Sequence, residues 1–162
     1  MHLRLILQVL ALLVLANATP VLVNDVLGRR WSWPIDGGVR LVDGQPLLGS
    51  SKTIRGVLFS LLLTAVGAPL VGLGWKVGLL TGAFAMVGDL FSSFLKRRTR
   101  LPAGGRASGL DQMPESLFPL LACRHALGLS GRDIAVAVMA FFLGEVVLSL
   151  LFYKLRLRDR PY

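Results

Sequence analysis

The sequence predicts an all-α polytopic membrane protein with about five transmembrane helices and two long cytoplasmic loops, folded as a single domain over residues 1–162. Three observations predict this fold class. Hydrophobic residues make up 54% of the 162 residues and charged residues only 17%, whereas about a quarter of a soluble domain is charged. The apolar residues lie in long blocks, and the mean hydropathy is +0.65. A bilayer core about 30 Å thick needs about 20 residues per helix, which leaves room for about five spans.

The apolar blocks that predict spans are residues 3–23, 56–74, 77–95, 114–129 and 134–153. The first block starts with a basic residue and contains small residues near its end, so a cleaved signal peptide is an alternative interpretation. The fourth block is the least secure span because it is short and contains Pro119, Arg124 and His125.

The positions of the cations favour five spans with a retained first helix. With the amino terminus outside, fourteen of the eighteen Lys and Arg residues fall on the cytoplasmic side, as the positive-inside rule requires. Without the fourth span, the basic carboxyl-terminal tail would lie outside. We therefore expect a multi-pass protein of the cytoplasmic membrane with a cytoplasmic carboxyl terminus. The net charge of +9 then reflects topology, and it does not predict a nucleic-acid partner.

Two connections are much longer than the usual 4 to 6 residues. They are residues 24–55 and 96–113, and both face the cytoplasm in this topology. Long loops on one side of a helical bundle indicate a site on that side. The single Cys123 excludes an intrachain disulfide and a cysteine metal cluster.

Asp89 is a carboxylate inside the third predicted span, about 10 Å before Lys96 along a helix. A charge at membrane depth costs at least about 2.5 kcal/mol, so it should face a polar interior, a partner or a metal. One face of this helix combines small and polar residues: Gly78, Gly82, Ala85, Asp89, Ser92, Ser93 and Lys96. The structural alternative is an ion pair with an arginine of the bundle. Glu145 in the fifth span is equally unusual, and Arg124 is its candidate structural partner.

Both long loops contain groups suited to phosphates. Around Lys52 and Arg55, glycines and hydroxyls would let backbone amides approach an anion while the cations neutralise it, although a turn-rich loop with topological cations is an alternative. In the second loop, Asp111 and Glu115 lie four residues apart at a predicted helix start, close to the end of the span that holds Asp89. Such carboxylates beside a basic rim predict a site for Mg²⁺ with phosphates.

Taken together, these motifs resemble the integral-membrane CTP-dependent cytidylyltransferases, above all the CDP-archaeol synthase family and more distantly the CDP-diacylglycerol synthases. Residues 88–98, GDLFSSFLKRR, look like the shared GDL-x-x-S-x-x-KR signature, and residues 110–112, LDQ, look like the aspartate motif that follows it. Residues 51–56, SKTIRG, resemble the Lys-Thr segment of the family, and residues 34–36 with Asp43 resemble the stretch before it. The likeness covers about half of the chain, and the family has five spans.

The resemblance implies that CTP and a lipid phosphate react at the membrane surface to give a CDP-lipid and pyrophosphate, with Mg²⁺ as cofactor. The implied catalytic residues are Asp89, Asp111 and Lys96, and the implied metal ligands are Asp89, Asp111 and Glu115. The implied substrate-binding residues are Lys52, Thr53, Arg55, Ser51, Asp36, Asp43, Ser93 and Arg97.

Two departures from the family pattern leave alternatives open. Pro114 stands where archaeal members carry a second aspartate, with Glu115 next to it, and Ser50-Ser51 replaces a Gly-Asp pair. A non-catalytic lipid-binding homologue therefore remains an alternative, as does a small transporter or channel subunit with Asp89 and Glu145 along a polar pathway. The sequence also leaves a homodimer open.

Overall fold

The structure is a computed structural model that describes residues 2–28, 30–100 and 111–154, without the side chains of residues 152–154. These residues form five helices, and the only β structure among them is two isolated bridges. The helices are α1 (Leu3–Leu27), α2 (Ile54–Leu70), α3 (Trp75–Arg98), α4 (Gln112–Leu127) and α5 (Gly131–Lys154). The predicted all-α fold class is confirmed.

The helix ends differ from the predicted blocks for local reasons. Helix α2 begins two residues early because Thr53 caps it, with its Oγ1 accepting a hydrogen bond from the amide of Gly56. It ends at Leu70 because the chain turns at Gly72, which has a φ of +82°. Helix α3 continues through Arg98, and cations in its last turn interact favourably with the negative end of the helix dipole.

Three of the described helices, α1, α3 and α5, are long and apolar enough to cross a membrane. Helix α2 is a shorter apolar helix of 17 residues, and α4 has 16 residues. The outer faces of the bundle carry large exposed apolar side chains, among them Leu22, Leu62, Val66, Val87 and Val147. Many large apolar side chains exposed on the outside of one bundle are unusual in a soluble monomer and are suited to contact with lipid.

The helices run alternately up and down, so the bundle has two distinct ends. The loop end holds the connection between α1 and α2, the last turn of α3 and the first turn of α4. The turn end holds the two short connections, residues 71–74 and 128–130. At the turn end, the buried carboxylate of Asp133 accepts hydrogen bonds from the amide of His2 and the hydroxyl of Ser130. These bonds join the start of α1 to the start of α5.

Close helix contacts at glycines bring the polar face of α3 against its neighbours. A methyl group at Gly78 or Gly82 would overlap atoms of Thr64 in α2, and one at Gly88 would overlap the backbone of Pro114 in α4. The separate apolar core lies between α1, α4 and α5 and consists of Ile6, Val9, Leu13, Leu120, Leu129, Ile134, Ala137 and Phe141. Helix α3 is thus held between α2 and α4, with its polar residues turned inward.

We predict that Gly88→Ala destabilises the protein by about 1–3 kcal/mol, because the new methyl group has to displace the backbone of Pro114. Gly144→Ala is the matched control, since a Cβ at that position meets no atom within 4 Å and alanine favours helix. Thermal unfolding in detergent measures both variants. Equal stability of the two variants would contradict the close contact between α3 and α4.

Candidate functional site at the loop end

The connection between α1 and α2 is held in a defined shape by its own hydrogen bonds. Isolated antiparallel bridges join Pro34 to Thr53 and Arg40 to Pro46. The carboxylate of Asp36 accepts hydrogen bonds from three backbone amides, those of Gly38 at 3.0 Å, Leu48 at 2.9 Å and Gly49 at 3.0 Å. Partial burial acts to raise the pKa of Asp36, but these amide hydrogen bonds outweigh it and lower the pKa. Asp36 is therefore an ionised organiser of the loop.

Lys52 connects this loop to the membrane-depth carboxylate. Its Nζ lies 2.5 Å from Oδ1 of Asp89, and both side chains are mostly buried. Asp89 is nine residues before the end of α3, which corresponds to about 14 Å of helix. The ammonium group of the loop therefore reaches down into the bundle to neutralise the acid.

Glu115 of α4 completes what we call the deep cluster, which consists of Lys52, Asp89 and Glu115. The side chain of Glu115 is only 8% exposed, forms a hydrogen bond with Asp89 and interacts electrostatically with Lys52. The close approach of Gly88 to Pro114 brings the two acids together. Glu145 of α5 also acts electrostatically on Glu115, so a third helix contributes a carboxylate to this region.

A second ion pair lies nearer the loop end and joins the same two helices. Nζ of Lys96 lies 2.8 Å from Oδ1 and 3.0 Å from Oδ2 of Asp111. Lys96 follows Asp89 by two helical turns, and Asp111 precedes Glu115 by about one turn. The two pairs therefore lie one above the other along the contact between α3 and α4, and we call Lys96 and Asp111 the upper pair.

The last turn of α3 also holds the tip of the first loop. Arg98 donates to the carboxylate of Asp43 at 2.5 Å and to the carbonyl of Pro46 at 2.8 Å. Burial raises the pKa of Asp43, but hydrogen bonds from the Gln45 amide and Arg98, with the charge of Arg98, lower it overall. Asp43 thus fastens the loop to α3.

The guanidinium group of Arg55 points to the end of α1. It donates hydrogen bonds to the carbonyls of Arg30 and Gly28 and to the side chain of Asn24, the last two at 2.6 and 3.0 Å. These acceptors lie in the last turn of α1 or just after it, where backbone carbonyls have no partner within the helix. The sequence suggested a phosphate contact for Arg55, whereas in the structure this side chain ties α1 to α2.

The two acids of the deep cluster are of the kind that can hold a divalent cation together with phosphates. Among the described residues, no three His, Cys, Asp or Glu side chains form a metal-holding group. Asp89 and Glu115 do lie together, and the ammonium of Lys52 shows that this position accepts positive charge. Magnesium is commonly held by one or two carboxylates with substrate phosphates and water completing its shell. Asp111 is engaged instead by Lys96.

Comparison with known proteins identifies the family. A family model described as CarS-like CDP-archaeol synthase matches residues 71–162. The CDP-archaeol synthase of Pyrococcus furiosus is 40% identical over 157 residues, which is 91% of this chain and 90% of that protein. The chain belongs to the CDP-archaeol synthase family. The synthases of Saccharolobus solfataricus and Sulfurisphaera tokodaii are 41% and 34% identical, each over 80% of this chain and 81% of their own length.

A solved structure has a similar fold. A structure of an intramembrane enzyme for archaeal membrane lipid biosynthesis matches with a TM-score of 0.69 at 32% identity, over 87% of this chain and 90% of that one. Membership of the CDP-archaeol synthase family confirms the resemblance inferred from the motifs and the prediction of an enzyme of the nucleotidyltransferase class. Together with its apolar helices, it makes this chain a membrane protein.

The structure brings some of the predicted site residues of this family member together and separates others. Lys52, Asp89 and Glu115 meet in the deep cluster, with Lys96 and Asp111 above them. Ser93 and Arg97 are buried on α3, and Arg97 approaches the loop at Gly49. Thr53 caps α2, Asp36 and Asp43 organise the loop, and Ser51 is exposed. Most of the second predicted loop, residues 101–110, and the tail from residue 155 lie outside the described residues.

Glu145 is the residue whose surroundings the sequence did not predict. The sequence suggested Arg124 as its partner, but Arg124 is exposed in the last turn of α4, near the turn end. Glu145 lies about 20 Å along α5 from that end, at the depth of Glu115. Glu145 lies nine residues before the end of α5, as Asp89 does in α3. Their similar distances from the ends of their apolar blocks were the signal in the sequence that the two acids lie at a similar depth.

We predict that Arg55→Gln lowers the stability of the substrate-free protein by about 2 kcal/mol, because carbonyls at the end of α1 lose a charged donor. Arg40→Gln, which removes an exposed arginine of the preceding loop, should change stability by less than about 0.5 kcal/mol. Thermal unfolding without ligand measures both. An Arg55→Gln protein of unchanged stability that binds CTP more weakly would instead make Arg55 a phosphate ligand.

Proposed function

We propose that this protein is a CTP-dependent cytidylyltransferase that converts an archaeal ether-lipid phosphate to a CDP-lipid and releases pyrophosphate. The deep cluster is the single observation that carries the proposal: a loop lysine paired with a membrane-depth carboxylate, beside a second carboxylate. The names of the relatives support the choice of CDP-archaeol as product. The position of the cluster between loop and bundle suits a reaction between a water-soluble nucleotide and a lipid.

The chemistry requires charge control more than a protein nucleophile. An oxygen of the lipid phosphate attacks the α-phosphorus of CTP, and the bond to the β-phosphate oxygen breaks, so pyrophosphate leaves. The attacking phosphate is already an anion near neutral pH. The deep cluster accordingly consists of carboxylates and a cation. Two side chains that could act as a nucleophile or base lie away from it: Cys123 contacts Thr81 far from the loop, and His2 binds Asp133 at the turn end. Positioning and electrostatic stabilisation are the main contributions in such reactions.

The cations of the site have distinct roles in this proposal. Lys52 is the residue that can exchange a carboxylate for a phosphate oxygen, because its flexible side chain is a point charge with three donors. Lys96 and Arg97 are buried in the last turn of α3 and lie above the deep cluster at the loop end. We assign to them the neutralisation of the triphosphate and of the leaving pyrophosphate. Ser51 and Ser93 are assigned hydrogen bonds to substrate oxygens.

Magnesium fits the acids of the deep cluster. We assign Asp89 and Glu115 as its ligands, and Asp111 as the acid that holds Lys96 in place. When bound there, a divalent ion would supply positive charge that neutralises the phosphates of the substrates. Asp89 and Glu115 would keep a bound cation at a fixed depth below the loop, where the ammonium of Lys52 now lies.

The loop end is assigned to the cytoplasm. It collects the cations of the first loop and of α3, whereas the turn end carries Arg4, Lys76, Arg124 and Arg132. This distribution follows the positive-inside rule, and CTP is a cytoplasmic nucleotide. The amino terminus is then outside and the carboxyl terminus inside.

We predict that Asp89→Asn reduces CDP-lipid formation by at least about 100-fold, because a neutral amide holds neither Lys52 nor a divalent ion. Asp25→Asn is the matched control, since Asp25 is exposed in α1 near the same end, and it should keep full activity. The assay supplies CTP, Mg²⁺ and ether-lipid phosphates and detects the product by mass spectrometry and pyrophosphate release.

The same assay separates the remaining interpretations. Turnover in Asp89→Asn equal to that of the control, in a protein that still unfolds cooperatively, would remove Asp89 from the mechanism. Metal-dependent CTP binding by the unmodified protein without turnover on any lipid phosphate would indicate a non-catalytic homologue, as the Pro114 departure allows. A diacyl phosphatidate used in preference to the ether lipid would correct the assigned substrate.

A further inference from the structure

The connection between α1 and α2 exposes large apolar side chains although it contains no membrane-spanning segment. Trp31 and Trp33 are 73% and 72% exposed, and Val42 at the tip of the loop is fully exposed. Val39 and Leu41 beside the tip are also exposed. In a loop surrounded by water, this set would place two indole rings and three aliphatic side chains in solvent, which is the kind of exposed patch that marks an interaction surface.

This patch continues the apolar surface of the bundle. Val26 in the last turn of α1 is 82% exposed, and Trp31 follows the end of that helix by four residues. Ile54 at the start of α2 is exposed as well. Helix α1 has 25 residues and is therefore about 37 Å long, which exceeds the hydrocarbon thickness of about 30 Å. A spanning helix of this length extends beyond the hydrocarbon core, so the tryptophans that follow its end are close enough to reach the boundary between hydrocarbon and headgroups.

The tip of the loop is held at a matching height. The bridge between Arg40 and Pro46 closes the tip, and Leu41 donates its amide to the carbonyl of Gln45 at 3.0 Å. Arg98 then ties Asp43 to the last turn of α3. Since α3 is one of the helices long enough to span the bilayer, a spanning α3 would have its last turn near the membrane surface. The exposed Val42 is fixed beside that surface.

The composition of the patch suits the interfacial layer. Tryptophan concentrates at membrane interfaces, where its ring contacts the upper acyl chains and its N–H remains hydrated. Arg30 and Arg40 are exposed in the same loop, and cations near the surface attract lipid phosphates. Asp36, by contrast, is turned inward onto backbone amides of the loop. The face thus combines aromatic, aliphatic and basic groups.

We propose that the loop of residues 30–48 docks on the cytoplasmic leaflet of the bilayer that holds the bundle, with Trp31, Trp33 and Val42 in its interfacial layer. The occupant of the patch is lipid, not a second protein. This inference requires that the bundle spans a membrane with its loop end on the cytoplasmic side, and it is independent of cytidylyl transfer.

Tryptophan quenching in vesicles tests the docking. Trp75 lies at the turn end, so the Trp75→Phe variant leaves Trp31 and Trp33 as the only fluorophores of this type. It is reconstituted in phosphatidylcholine brominated either near the headgroup end or near the methyl end of the acyl chains, with acrylamide as aqueous quencher on both sides. We expect shallow bromine to quench at least about twofold more than deep bromine, and acrylamide to quench weakly.

Two other outcomes would overturn the proposal. Strong acrylamide quenching without bromine quenching would mean that the loop extends into water. Shielding from both quenchers would mean that protein, either a second copy or another partner, covers the tryptophans. The double variant Trp31→Phe/Trp33→Phe, which leaves only Trp75 at the start of a spanning helix, calibrates the response of a tryptophan at the opposite surface.

Substitution of the tip adds a second measurement. In the Trp75→Phe protein, Val42→Asp should reduce quenching by shallow bromine about twofold, because a carboxylate is excluded from the apolar side of the interface. Val42→Leu should leave quenching unchanged. Since Val42 is fully exposed, neither change affects packing of the bundle. Equal quenching in both variants would contradict the docking of the tip.

Discussion

The ion pair between Lys52 and Asp89 is the interaction on which the rest of the site depends. An acid about 14 Å inside a membrane helix is costly unless a cation reaches it. In this protein the cation comes from a loop and not from a neighbouring helix. The pair therefore joins a loop that can meet a water-soluble nucleotide to a helix of the apolar bundle, and the loop must keep its shape for the pair to form.

Helix packing provides the space for this meeting. Gly78 and Gly82 let α2 approach α3, and Gly88 lets α4 begin beside Asp89. Because α4 starts there, its Glu115 adds a second acid to the deep cluster and its preceding Asp111 holds Lys96 one level above. The glycines that allow close helix packing thus also determine the order in which the upper pair and the deep cluster follow each other along the bundle. Phosphates entering from the loop end would meet the upper pair first and the deep cluster next.

Much of the fold could be predicted from the sequence, since long apolar blocks and the placement of cations act over many residues. The functional importance of Asp89 and its motif could also be predicted, because a charge among apolar residues is costly and is kept only where it has a role. The partners of the charged groups could not be predicted. Arg55 reaches back to α1, Lys96 takes Asp111, and Glu145 lies near Glu115 and not near Arg124. Such pairings depend on how each helix is rotated and how deep it lies, and hydropathy contains no information on either.

A double-mutant cycle on the deep cluster tests the central claim most directly. The unfolding free energies of Lys52→Met, Asp89→Asn and the double variant are compared with that of the unmodified protein in detergent. A direct ion pair in a mostly buried position predicts a coupling of about 1–3 kcal/mol, with the double variant more stable than the sum of the single losses implies. Additive losses would mean that the loop lysine and the membrane-depth acid do not meet, and the proposed site would lose its basis.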